Sequence, residues 1–137
     1  MAVLLDTSFL LAVAWSRDAN HDLARAAMRD LIGIRVVAAP VLPEIFYMLA
    51  SRANYASAMN VFKTMRSAAF QIVELTAADM SRMQDIMAQY KDNQYDFVDV
   101  AIMALSERLN VQEIYTLDRR DFGSFRPRHC ENLTLLP

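Results

Sequence analysis

The run Phe97-Val98-Asp99-Val100-Ala101-Ile102-Met103-Ala104-Leu105 constrains this chain more than any other stretch. It leaves almost no polar face, so a helix built from it must be buried on most sides. Yet it carries a carboxylate, Asp99, one turn in. A buried, unpaired carboxylate is costly and persists when paired with cations or coordinated to a metal. Beyond this helix, Glu113 to Leu117 reads as a strand, and Asp118 ends it at the edge where open α/β sheets place their ligands. Asp99 and Asp118 can therefore converge on one pocket. Arg119 to Phe122 then reads as a loop of mixed charge.

What precedes this stretch alternates strands with helices. Ala2 to Leu5 is an apolar run too short for a helix, a buried strand whose end delivers Asp6, and Thr7 or Ser8 can cap the helix that follows through Trp15. A second helix begins near Asn20 with Leu23, Ala26, Ala27, Met28 and Leu31 as its apolar stripe. Val36 to Ala39 is the next strand, closed by Pro40. A proline suits the first turn of a helix, so Pro43 places Glu44 near the start of one that runs to Arg52. Tyr55 to Ala69 is amphipathic, with Met59, Phe62, Met65 and Ala69 at helical spacing. Phe70 to Leu75 is a strand. Thr76-Ala77-Ala78-Asp79 matches a capping box with Asp in place of Glu, opening a helix with Met80, Met83, Ile86, Met87 and Tyr90 on one face. A short strand, Leu133 to Leu136, closes the chain. This alternation predicts an α/β fold of three layers, a mostly parallel sheet covered by helices on both faces.

The 137 residues fit one domain, 1–137, able to bury roughly two-thirds of its unfolded surface. With Gly33 and Gly123 as the only glycines, phosphate-cradling glycine loops are excluded. Cys130 is the only cysteine, which excludes an intrachain disulfide, a zinc ribbon and a CxxC redox motif and points to a reducing, cytoplasmic setting. No secretory signal precedes the first strand, and Phe9 to Trp15 is too short to span a bilayer. The net charge of −2 does not advertise a nucleic-acid binder. Gathering several acids into one pocket would leave the remaining surface more basic, and twelve of the fourteen basic residues are arginines, which favour bidentate phosphate contact.

Asp6, Glu44, Asp99 and Asp118 share a structural address, since two end strands and two lie in first helical turns at the same sheet edge. Helix N-termini favour anions, but four clustered carboxylates still repel one another. One or two hard cations with oxygen ligands, Mg²⁺ or Mn²⁺, relieve that repulsion and leave positions for water and phosphate oxygens. The chemistry this suggests is hydrolysis of a phosphodiester. In that scheme Asp6 and Asp99 are primary ligands, Asp118 holds the same or a second ion, and Glu44 binds through water or positions the nucleophile. The alternatives stay open: Asp6 as a helix cap, Glu44 and Asp118 as solvated acids. Asp96 is expected to cap the central helix with its carboxylate, or to add a ligand. Asp121 is expected to pair with Arg119 or Arg120, or to sit at the pocket rim. Thr7 and Thr116 each neighbour a pocket acid and can orient it.

At these residues the chain resembles the PIN-domain family, and within it the small stand-alone toxins of VapBC-type toxin–antitoxin modules. The motifs are Leu4-Leu5-Asp6-Thr7-Ser8, Pro43-Glu44, Phe97-Val98-Asp99-Val100-Ala101 and Thr116-Leu117-Asp118-Arg119-Arg120-Asp121-Phe122. The resemblance covers nearly the whole chain. It implies a parallel sheet between helices, Mg²⁺ or Mn²⁺ in the acidic pocket, and endonucleolytic cleavage of single-stranded RNA or of exposed loops such as those of tRNA. It also implies a homodimer and a VapB-type antitoxin docked in a groove between helices. Phe46, Tyr47, Met48, Met59 and Phe62 can line that groove or belong to the core. Arg119, Arg120, Arg126 and Arg128 can contact RNA phosphates beside the pocket or be ordinary surface arginines. Two rival readings remain, a fold of this kind kept only for binding RNA or protein, and a phosphotransfer domain working through an aspartyl phosphate. The second lacks a DxD after the first strand and a lysine near any strand end.

Overall fold

A computed structural model describes all 137 residues. The elements run β1 (Ala2–Leu5), α1 (Thr7–Ala14), α2 (His21–Asp30), β2 (Ile34–Ala38), α3 (Val41–Arg52), α4 (Tyr55–Met65), β3 (Phe70–Val73), α5 (Ala77–Gln89), α6 (Phe97–Arg108), β4 (Glu113–Tyr115), α7 (Arg119–Ser124) and β5 (Thr134–Leu136). The five strands form one sheet in the order β3-β2-β1-β4-β5, and every neighbouring pair is parallel. The first three strands step outward from β1 in one direction, while β4 and β5 step outward in the other. Right-handed crossovers then put the helices of the two halves on opposite faces. Contacts follow that division, with α1 to α4 packed among themselves and α6 packed on α5 and α7.

The strand order reverses between β1 and β4, and a crevice opens outside the carboxyl ends of strands at such a switch point. Register fixes what faces it. Leu4 pairs with Ile114 and Leu5 with Tyr115, so one step further Asp6 stands beside Thr116. The core supports this edge from below. Val3, Leu4 and Leu5 are fully buried, and α6 buries every residue from Val98 to Ser106.

Several helix faces are turned from the expected ones. In α2 the buried residue is Ala24, whereas Leu23 is 54% exposed. In α4 the buried residues are Ala58 and Met65, with Met59 and Phe62 on the surface. Of the expected stripes, Leu31 and Met65 are buried and Ala27 and Met28 pack partly against the core, while Ala24 and Ala58, outside those stripes, are fully buried at the contacts. In α5, Met83 and Ile86 are buried as expected, while Met80 and Met87 are exposed. α4 also ends earlier than expected, at Met65, and β4 stops at Tyr115. Beyond Tyr115 the Thr116 N–H still bonds the Leu136 carbonyl at 2.7 Å, and on the β1 side the hydroxyls of Ser8 and Thr116 take over from the ladder.

The capping box of α5 forms reciprocally, with the Asp79 N–H donating to Thr76 Oγ1 (3.1 Å) and the Thr76 N–H to Asp79 Oδ2 (2.9 Å). Asp79 also accepts Arg108 Nε at 2.9 Å, and Arg82 donates twice to Glu107, at 2.7 and 3.1 Å, so two ion pairs clamp α5 to α6. Asp79→Ala removes one half of the capping box and leaves Arg108 without its carboxylate partner. Urea unfolding is expected to show a loss of about 2–3 kcal/mol, and an unchanged midpoint would contradict this account of the α5–α6 contact.

Candidate active site

Asp6 caps α1, accepting the Thr7 N–H on Oδ1 at 2.8 Å. Its other oxygen is held by two hydroxyls, Ser8 Oγ at 2.8 Å and Thr116 Oγ1 at 2.7 Å. Each hydroxyl spends its one proton on Asp6 and receives a backbone N–H in turn. Ser8 accepts that of Leu117 at 3.0 Å, and Thr116 accepts that of Asp118 at 3.0 Å. The turn after β4 is thereby built onto the Asp6 carboxylate, across the switch point. Burial pushes the Asp6 pKa up, and the bonds from Thr116, Ser8 and Thr7 oppose that rise.

The same turn presents Asp118 as the N-cap of α7, its Oδ1 accepting the Arg120 N–H at 3.3 Å. The stretch expected to be a loop is this short helix. Its first turn carries Asp121 inward, where it is 8% exposed. Asp99, from the first turn of α6, completes the group. Oxygens of Asp99, Asp118 and Asp121 all lie within 4.8 Å of one another. Asp121 is thus part of the cluster rather than at its rim, with Arg120 Nε 3.4 Å from Oδ1 on the outer side.

Asp99 carries the electrostatic cost of this arrangement. Burial first, then the neighbouring charges of Asp6, Asp96, Asp118 and Asp121, push its pKa up to about 8. Glu44, in the first turn of α3, is also raised, by burial and by the charges of Asp96 and Asp6. The Thr7 hydroxyl lies near Glu44 and is buried without a hydrogen bond of ordinary geometry, so a small rotation of either side chain would join them and oppose that rise. Asp96 occupies the N-cap of α6, but its side chain accepts no N–H there. The expected carboxylate cap is absent, and Asp96 instead stands as a further exposed charge between Asp99 and Glu44.

This donor set suits a hard divalent cation. It is all oxygen, it is short of positive charge, and its geometry is nearly closed. Two ligands of one ion at bonds of about 2.1 Å lie at most about 4.2 Å apart. Carboxylate rotations moving the oxygens by well under 1 Å would bring Asp99, Asp118 and Asp121 onto a common centre. Asp6 lies close enough to raise the pKa of Asp99 but stands outside that tight group, its oxygens already accepting three bonds.

The basic residues beside the pocket are largely engaged. Arg119 donates to the Pro137 carbonyl, and Arg126 donates to the carbonyls of Gly123 (2.8 Å) and Phe125 (3.3 Å), closing the end of α7. Arg128 is held only through its backbone N–H, which donates to Glu107 at 2.8 Å, far down α6 from Asp99, and its guanidinium is unpaired. Ser8 was missed as a support for Asp6. Its signal was available in the Asp6-Thr7-Ser8 triplet, where a hydroxyl two residues after a capping carboxylate can reach back to it.

Comparison with known proteins agrees with this geometry. The sequence profile of the PIN domain matches residues 3–126. Ribonuclease VapC26 of Mycobacterium tuberculosis is 27% identical over 135 residues, 98% of this chain and 100% of that protein. The 23S rRNA-specific endonuclease VapC20 of the same species is 22% identical over 116 residues, 85% of this chain and 88% of that one. The crystal structure of M. tuberculosis VapC20, described as a sarcin-ricin loop cleaving toxin, superposes with a TM-score of 0.84 at 21% identity, covering 90% of this chain and 95% of that one. FitAcB from Neisseria gonorrhoeae gives 0.71 at 15% identity over 98% and 96% of the two chains. With its parallel sheet, its switch-point crevice and its clustered acids, the chain belongs to the PIN domain family.

Proposed function

We propose that this protein is a divalent-metal-dependent endoribonuclease, cutting phosphodiester bonds of single-stranded RNA or exposed RNA loops as the toxin of a type II toxin–antitoxin pair. The observation that carries the reading is the cluster of Asp99, Asp118 and Asp121, two of them buried, whose mutual repulsion a bound cation would relieve. A bound Mg²⁺ or Mn²⁺ would supply Lewis-acid polarisation of a phosphate oxygen and a more acidic water. Asp99, Asp118 and Asp121 would hold one ion, with Asp6 as a ligand or as the fixed wall behind them. Glu44, less acidic than an ordinary glutamate, is suited to accept a proton from water or to hold a second ion with Asp96. The relatives named as a ribonuclease and a 23S rRNA endonuclease support the substrate class.

The partner reading rests on α3 and α4. Tyr47, Tyr55, Met59 and Phe62 are between 47% and 73% exposed there, an apolar surface fit for an amphipathic helix. Among similar structures are VapBC2 from Rickettsia felis and a toxin–antitoxin complex from Klebsiella pneumoniae. We place a VapB-type antitoxin on that surface, take the working unit as a homodimer, and assign it to the cytoplasm. No helix is long and apolar enough to cross a membrane.

Two experiments test this. Purified protein, incubated with structured and unstructured RNAs, should cut in Mg²⁺ or Mn²⁺ and not in EDTA. Failure to cut any of them, with folded and partner-free protein, would favour a PIN fold kept for binding. Thr116→Val removes the hydroxyl that joins Asp6 to the Asp118 turn. A loss of roughly 10- to 100-fold in cleavage is expected, as for other outer-shell partners, and full activity would show that the turn needs no such tether.

A further inference from the structure

A cation in the acidic pocket would engage the phosphate that is cut, but the acids around it disfavour the flanking phosphates, which call for cationic side chains elsewhere. Arg119, Arg120 and Arg126 are tied to carbonyls or to Asp121, and Arg82 and Arg108 to Glu107 and Asp79. Of the five arginines whose side chains form neither an ion pair nor a hydrogen bond, Arg17, Arg25, Arg52, Arg66 and Arg128, two, Arg17 and Arg52, share a concavity of about 390 Å³. Its wall also includes Trp15, Ser16, Asn54 and Ser57, and no acidic residue. Asn54 accepts the Ser57 N–H through Oδ1 at 2.8 Å, so the α4 start faces this space with its carboxamide N–H₂ and the Ser57 hydroxyl still free to donate.

Its position relative to the acids is what gives the pocket meaning. α1 and α3 both begin at the acidic site, with Thr7 beside Glu44, and both end at this concavity, with Ala14 beside Arg52. The helices are therefore parallel, and the seam between them leads from one site to the other. Eight residues separate Glu44 from Arg52, about 12 Å of helix. A stacked strand rises about 3.4 Å per nucleotide, so the seam spans about three to four nucleotides, fewer if the strand is stretched.

We infer that the Arg17–Arg52 pocket binds a backbone phosphate of the single-stranded RNA substrate, a few nucleotides from the bond that is cut. The inference rests on the ribonuclease reading above. Both arginines are exposed, so Arg17→Ala/Arg52→Ala should fold normally, as a melting curve will show. On a twelve-nucleotide RNA that the wild type cuts, the double variant is expected to raise KM about tenfold. The dependence of log KM on log salt should become shallower by about 0.7, the contribution of one single-strand phosphate. A dinucleotide joined by the same bond cannot reach the pocket and should be cut with unchanged kcat/KM. Arg17→Lys/Arg52→Lys should recover most of the affinity. An unchanged KM on the long RNA, or equal losses on both lengths, would overturn the proposal. Should the wild type cut no RNA, fluorescence anisotropy of a labelled twelve-nucleotide strand decides instead. The same weakening in the double variant is expected, and equal binding by both proteins overturns the subsite independently of the nuclease reading.

Discussion

Asp99→Asn is expected to lower RNA cleavage by about 10³-fold or more, beyond the 10- to 100-fold typical of residues that merely support a ligand. The substitution keeps the shape and volume of the side chain while removing its charge. Asp99 sits in the first turn of α6 on otherwise apolar ground and shares oxygens within 4.8 Å with Asp118 and Asp121. An amide offers a cation one neutral oxygen in place of an anionic pair, and it can turn an N–H₂ toward the neighbouring acids. The same change should make the metal-free protein more stable, because the group most burdened by its neighbours no longer ionises. Loss of activity with gain of stability separates a ligand from a structural residue. Removing a structural residue would lower both.

The second large effect is a dependence of stability on pH and metal together. In the folded protein Asp99 titrates near 8, whereas an unconstrained aspartate titrates at 3.8. Between those values the unfolded chain has lost its proton and the folded one retains it. The folded state binds more protons, so stability falls as pH rises from about 4 to about 8. Asp6 and Glu44, both raised by burial, act with the same sign. Asp79 and Glu107 act oppositely. Burial raises each, but the bonds from Arg108 and Arg82 outweigh it and leave both lowered, so their contribution is present at neutral pH and fades only in acid. For Asp99 the loss is on the order of 2–3 kcal/mol once solvent screening at the pocket mouth is allowed for. Saturating Mn²⁺ binds the folded state and should raise the melting temperature more at pH 8 than at pH 5. Melts in EDTA and in Mn²⁺ across that range, beside Asp99→Asn, read both terms. A flat profile without metal, or an equal shift in the variant, would contradict the electrostatic account.

The acids at strand ends and helix starts were legible in the sequence because backbone topology alone brings such positions to one edge. Asp6 follows a run that can only be a buried strand, and Asp99 interrupts an apolar helix where a carboxylate demands an explanation. Asp121 was not legible in the same way. Its place depends on α7, a helix of six residues containing Gly123, too short to display a period and formed only because Asp118 caps it. The hydroxyl bridge from Ser8 and Thr116 to Asp6 likewise depends on the β1–β4 register, a pairing of residues more than a hundred positions apart. The faces of α2 and α4 were legible in part: Leu31 and Met65 are buried as expected, whereas Leu23, Met59 and Phe62 are exposed and Ala24 and Ala58 are buried in their place. Tyr47, Met59 and Phe62 were already legible as candidates for the antitoxin groove, and their exposure takes them out of the core.

The most direct measurement is single-turnover cleavage of one susceptible RNA as Mn²⁺ is titrated into metal-stripped protein, with Asp99→Asn run in parallel. The account predicts no cutting without metal, a saturable rise as the ion is added, and a variant that stays near the baseline throughout. Cutting that persists in EDTA, or a variant that keeps pace with the wild type, would contradict the assignment of this acidic cluster as the catalytic metal centre.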